Sequence, residues 1–120
     1  MIIKERRRYI RLDAKVDFKY RPKGGSSGKK KASTRNISPG GIRGLVSGEI
    51  KKGDWLELKI YFPGIKNPVS ATGKVIWTAD KKAGRIDVGI KFEEIDPVTK
   101  SRFLEHMCEL MFDKLERSKV

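Results

Sequence analysis

The chain has 120 residues, the length of one domain able to bury a real hydrophobic core, and it carries 28 lysines and arginines against 15 acidic residues, a formal charge of +13. A single cysteine, Cys108, excludes an internal disulfide, and with His106 as the only histidine a His/Cys zinc site within one chain lacks ligands. No apolar run is long enough to span a bilayer, and no apolar segment follows the basic N-terminus as a secretory signal requires, so the expected location is a reducing cytoplasm.

The charge is concentrated. Residues 1–35 hold 13 basic and 3 acidic side chains, so the first third carries most of the excess. Such asymmetry points to an anionic partner: nucleic acid, nucleotide, acidic protein or membrane surface. At its head lies Arg6-Arg7-Arg8-Tyr9-Ile10-Arg11, four guanidinium groups in six residues. Guanidinium is planar, permanently charged and two-pronged toward phosphate or carboxylate. The run therefore reads either as an arm that grips an anion or as a solvated basic tail.

From residue 13 to 21 the pattern alternates, with Ala14, Val16, Phe18 and Tyr20 on one face and Asp13, Lys15, Asp17 and Lys19 on the other. Period two predicts a half-buried strand, ended by Pro22. Lys23 to Lys31 is a basic Gly/Ser loop. It fails the Walker phosphate-loop pattern twice, with Lys23 where a glycine is needed and Lys30 where Ser or Thr is needed. Residues 32–38 read as an extended segment, and Asn36-Ile37-Ser38-Pro39-Gly40-Gly41 carries strong turn chemistry.

Further strands are predicted at Ile42 to Ser47, Asp54 to Phe62, Val69 to Thr78 and Arg85 to Phe92. In the third of these, Val69, Ala71, Val75 and Trp77 are expected on one side, with Gly73 marking a bulge or bend. Ala79 to Gly84 reads as a charged hairpin connection. In the last strand Ile86, Val88, Ile90 and Phe92 point inward. Then the period changes: Asp96-Pro97 starts a helix of about residues 97–117, with Leu104, Met107, Met111 and Leu115 as its stripe, flanked by Phe103 and Leu110. Phe112 lies off that stripe; packing against the barrel is the expectation, contact with a partner the alternative. The expected fold is mostly β, a six-stranded antiparallel barrel with one C-terminal helix. Residues 1–12 form a basic arm, and residues 13–120 one barrel domain.

Catalysis finds no constellation here. His106 reads as a helix-surface or satisfied, partly buried residue, and no serine or cysteine has an evident base partner. Two stretches remain, the arginine arm and the Asn36 turn. Arg7-x-x-x-Arg11 followed by Asn36-x-Ser38-x-x-Gly41 resembles the two-part signature of the PilZ domain, RxxxR and [D/N]xSxxG. Glu5 to Tyr9, Gly40-Gly41-Ile42, Gly73 to Trp77 and Val88-Gly89-Ile90-Lys91-Phe92 are similar to that family as well, so the resemblance runs from about Glu5 to the end of the helix.

The resemblance implies a bacterial receptor for cyclic di-GMP with no catalysis of its own, a cytoplasmic adaptor for motility, polysaccharide and biofilm output or transcription. It implies that Arg7 and Arg11 contact the ligand's phosphates and guanine edges, and that Asn36 and Ser38 add polar contacts. Gly41 admits close backbone approach, and Arg6, Arg8, Gly40 and Gly89 complete the expected site. An arginine before RxxxR, here Arg6, accompanies an intercalated ligand pair in the family, so two ligands per chain are expected. Nucleic acid is expected only as a weak, non-specific partner, beside an unidentified protein effector. The alternatives are a small basic nucleic-acid-binding barrel, for which Trp55, Tyr61 and Trp77 are the only outward aromatics, and a ligand-independent protein-interaction adaptor.

Overall fold

A computed structural model describes residues 12–25, 28–95 and 97–118. Six strands are followed by one helix: β1 (Asp17–Pro22), β2 (Lys30–Ser38), β3 (Gly41–Ser47), β4 (Trp55–Tyr61), β5 (Val69–Lys82), β6 (Arg85–Glu94) and α1 (Pro97–Ser118). The strands close into an antiparallel barrel in the order β1-β2-β3-β6-β5-β4, with β4 returning to pair with β1. Closure removes the free edges that a small sheet would otherwise expose.

The alternating patterns explain why these segments are strands. Val16, Phe18, Tyr20, Ile37, Ile42, Leu56, Leu58, Ile60, Val75, Val88 and Ile90 all point inward and are buried. The expected first strand begins too early. Residues 13–16 instead run beside β2, where the Thr34 hydroxyl donates to the Ala14 carbonyl at 2.6 Å and accepts from the Val16 N–H at 2.9 Å. At the β1–β4 seam, Arg21 donates to Glu57 at 2.6 Å. That hydrogen bond holds the Glu57 carboxyl below its usual range. A depressed carboxylate favours the folded state above its unfolded pKa, and the contribution is lost as pH falls through the lower folded value.

Three irregularities shape β5 against β6. The register slips at Thr72/Gly73, at Val75/Trp77 and at Ala79/Lys82. The first is the bulge expected at Gly73. The third lengthens the hairpin beyond the expected Ala79 to Gly84 connection: β5 runs to Lys82, and the turn is only Ala83-Gly84, both at positive φ (53° and 76°). That backbone twist matches the flanking strands. The second slip reverses an expectation. Extra residue Ile76 turns Trp77 away from the side of Val69, Ala71 and Val75 and onto the outer face.

The helix closes one end of the barrel. Phe103 is buried between Phe62 and Phe92, with ring centroids 5.1 and 5.3 Å away in edge-to-face geometry. Met107 is buried beside it and Leu110 packs on the core, whereas Leu104 is 38% exposed. The buried stripe therefore starts at Phe103 and not at Leu104. Phe112 is 62% exposed and does not pack on the barrel. Asp96, the expected cap, lies outside the described residues.

His106 also departs from expectation. Its ring lies 5.2 Å from that of Phe62, and among the described residues both buried ring nitrogens lack a hydrogen-bond partner. A buried polar group without a partner costs about 1–3 kcal/mol. His106→Leu is accordingly expected to stabilise the fold by about 1 kcal/mol, read as a higher urea midpoint with an unchanged slope. A lower midpoint would mean that the imidazole is satisfied in solution.

Candidate functional site

The expected site has two parts, and the described residues include one of them in full. Arg6, Arg7, Arg8 and Arg11 lie outside the described residues. Leu12, covalently next to Arg11, does not. Its N–H donates to the Ile37 carbonyl at 2.8 Å, and the Ile37 N–H donates back to the Leu12 carbonyl at 2.9 Å. Ile37 stands between Asn36 and Ser38. Two backbone bonds therefore fix Leu12 against the middle of the Asn36-x-Ser38 motif.

The turn itself is built from within. Ser38 pairs with Gly41 across a two-residue loop of Pro39-Gly40. The buried Ser38 hydroxyl accepts from the Gly40 N–H at 3.1 Å and donates to the Gly41 carbonyl at 3.4 Å. Side-chain oxygens of this kind replace backbone partners in turns. Gly41 faces β6 so closely that a Cβ would fall on the Ile90 carbonyl oxygen. The barrel itself needs this glycine, whatever a ligand adds. Gly40 donates through its N–H to Ser38, and its carbonyl accepts from the Phe92 N–H at 3.0 Å.

Outside the turn, four strands contribute one outward row. Asn36 pairs with Arg43, Arg43 with Gly89, and Gly89 with Trp77. Gly89 is buried although it faces out, because the Trp77 indole lies over it where any Cβ would collide. Arg43 stands 5.5 Å from the Trp77 ring centroid. It also grips Asp87 two-pronged, with Nη2 donating at 2.7 Å and Nε at 3.1 Å to Oδ2. Asp87 is buried, and the hydrogen bond and charge of its carboxylate raise the Arg43 pKa further, so Arg43 stays cationic. The row is thus an amide, a held guanidinium, a flat glycine floor and an indole plane.

Sequence reasoning missed Arg43 and Asp87, and it placed Trp77 both with Val69, Ala71 and Val75 and among the outward aromatics without the bulge that decides between them. The alternation around Ile42 marked Arg43 as outward. Nothing marked the Ile76 bulge. An open groove of about 1090 Å³ runs alongside, over β1 and β2, lined by Lys15, Lys19, Lys31, Arg35 and Leu45 among others. It does not include Asn36, Ser38 or Gly41, so the motif residues lie on an open face beside it.

The described residues place a polar turn and an aromatic-cationic row on the outside of a closed barrel. Among them, no helix is long and apolar enough to cross a membrane. The PilZ domain family matches residues 5–109, and the chain belongs to that family.

Solved structures share the fold. The Bacillus subtilis Inhibitor of motility (MotI/DgrA) is 23% identical over 92% of this chain and 53% of its own, with a TM-score of 0.72. The PilZ domain of YcgR from Escherichia coli, solved with c-di-GMP, is 16% identical over 96% of this chain and 98% of its own, with a TM-score of 0.74. The K. pneumonia MrkH-c-di-GMP complex is 13% identical over 94% of this chain and 56% of its own, with a TM-score of 0.76. The chain spans about half the length of MotI/DgrA and MrkH. No curated protein matches it.

Proposed function

We propose that the protein is a receptor for cyclic di-GMP that changes its surface on binding and relays the signal to a protein effector. The observation that carries this reading is the Leu12–Ile37 pairing: Leu12, the residue that follows Arg11 in the chain, bonds to the residue between Asn36 and Ser38 at backbone distances of 2.8 and 2.9 Å. Cyclic di-GMP is a dianion with two flat bases. It needs cationic forks for phosphate, donors and acceptors for guanine edges, and planes for stacking. Arg7 and Arg11 supply the forks in this reading. Asn36 supplies an amide, and Trp77 with Arg43 supplies the plane. Gly40, Gly41 and Gly89 keep the floor low, and Ser38 holds the turn that presents it. The c-di-GMP in the YcgR and MrkH structures supports the reading by fold. The name of one similar protein, an inhibitor of motility, supports a motility output.

Calorimetric titration with cyclic di-GMP, with cyclic di-AMP and GTP as controls, tests the proposal. Tight binding of cyclic di-GMP alone is expected, and equal or absent binding of all three overturns it. The endpoint carries a second prediction. Two stacked ligands bring four negative charges together, which Arg6 and Arg8 help to offset beside Arg7 and Arg11. The expected endpoint is two ligands per chain, falling toward one in Arg6→Leu with some affinity kept. A wild-type endpoint of one leaves Arg6 as another member of a basic arm.

A further inference from the structure

A second aromatic platform stands on the barrel, built from residues outside the PilZ motifs. Trp55 opens β4 and points outward, 39% exposed. Its ring lies between two ammonium groups, Lys23 Nζ at 5.5 Å and Lys74 Nζ at 5.8 Å from the centroid. Lys74 is its cross-strand partner on β5, and Lys74 in turn pairs with Lys91 on β6. Beyond Lys74 on the same face, the bulge exposes Ile76, 41% open to solvent, and turns Trp77 outward. Two of the five exposed large apolar side chains among the described residues thus lie on this strip, among lysines.

Each feature has an ordinary explanation alone. A surface tryptophan gains from lysine stems laid across it. What the strip adds is order: an indole, a lysine, an isoleucine and a second indole run along β4 and β5, with Lys23 and Lys91 at the margins. Sheet faces that bind single-stranded nucleic acid combine aromatic planes for successive bases with cations that follow the backbone. A membrane surface asks for a continuous apolar patch backed by cations, and here lysines interrupt the apolar side chains. Glu94 lies 3.7 Å from Lys23 and Glu93 3.9 Å from Lys91, which tempers the charge and disfavours indiscriminate polyanion binding.

We propose that Trp55, with Lys23, Lys74 and Lys91, is a site for single-stranded nucleic acid. A base stacks on the Trp55 indole and the flanking phosphates meet the lysines. The proposal does not rest on the cyclic di-GMP reading and stands or falls without it. At its Trp77 end the two surfaces meet.

The test uses the full chain and a labelled octanucleotide, oligo-dT or oligo-rU, followed by fluorescence anisotropy at 50 and 200 mM salt. Binding that weakens with salt is expected. Trp55→Ala should weaken it about tenfold or more, and Trp55→Phe should keep most of it, because the Phe ring still stacks. Lys74→Glu should weaken binding and flatten the salt dependence, whereas Lys66→Glu, which removes the same charge from an exposed loop, should do much less. Thermal melts of each variant establish that the barrel is intact. Equal losses in Lys66→Glu and Lys74→Glu, or an unchanged Trp55→Ala, would reduce the effect to bulk charge and overturn the site. Anionic phospholipid vesicles form the second arm: if Trp55→Ala abolishes vesicle binding but spares the oligonucleotide, the strip is a membrane surface and the proposal fails.

Discussion

Gly41→Ala is expected to destabilise the barrel by about 3 kcal/mol, because the new methyl group meets a backbone atom and not a mobile side chain. Gly41 lies in the β3–β6 ladder opposite Lys91, one residue after Gly40, whose carbonyl accepts from the Phe92 N–H. The Ile90 carbonyl that the methyl would strike belongs to the same strand. Relief requires β3 and β6 to move apart, which sacrifices ladder hydrogen bonds on both sides of the motif turn. The expected reading is a thermal midpoint lower by roughly 10–15 °C. Gly28→Ala is the control: a Cβ there meets nothing within 4 Å, and its midpoint should match the wild type. A wild-type midpoint for Gly41→Ala would mean that β6 yields at little cost. The consequence for function is direct. A Gly41 variant that fails to bind cyclic di-GMP has first to be shown folded, because its primary lesion lies in the barrel wall.

Alternation carried most of the fold. Phe18 and Tyr20, Leu56 to Ile60 and Val88 to Ile90 repeat with period two, and each buries the predicted face. The helix was legible from the change of period after Ile95, although its stripe was centred on Leu104, with Phe103 as a flank and not the anchor. That error has a physical source: Phe103 fills a slot between Phe62 and Phe92 that only the closed barrel creates. The site was legible as a motif and much less so as a surface. Asn36, Ser38 and Gly41 announce themselves by turn chemistry. The platform beside them depends on Ile76, a bulge residue that looks like any strand residue, and on Arg43, which earns its place only when Asp87 and Trp77 arrive from two other strands. Register across strands decides both, and register is not written in one strand alone.

The second large effect is expected in the arm. Arg11→Ala should weaken cyclic di-GMP binding at least tenfold, and Arg7→Ala likewise, while the melting temperature without ligand barely moves. The magnitude follows from charge-assisted hydrogen bonds, worth about 1.5–3 kcal/mol each against about 1.4 kcal/mol per decade of affinity. The separation of binding from stability follows from the chain's layout. Both arginines precede in the chain the residues that fill the core, and the strands that close the barrel, β1 to β6, all follow them. Leu12, the residue that follows Arg11 in the chain, pairs with Ile37 between Asn36 and Ser38, and the arginine segment is expected to act together with that motif. Calorimetry gives the affinities and a thermal melt gives the stabilities. Unchanged affinity in Arg11→Ala would place the phosphate grip elsewhere on the face, with Arg43 the first cation to examine. Lost affinity together with a lowered melting temperature would instead make the arginine part of the fold, and the division between a binding arm and a structural barrel would be wrong.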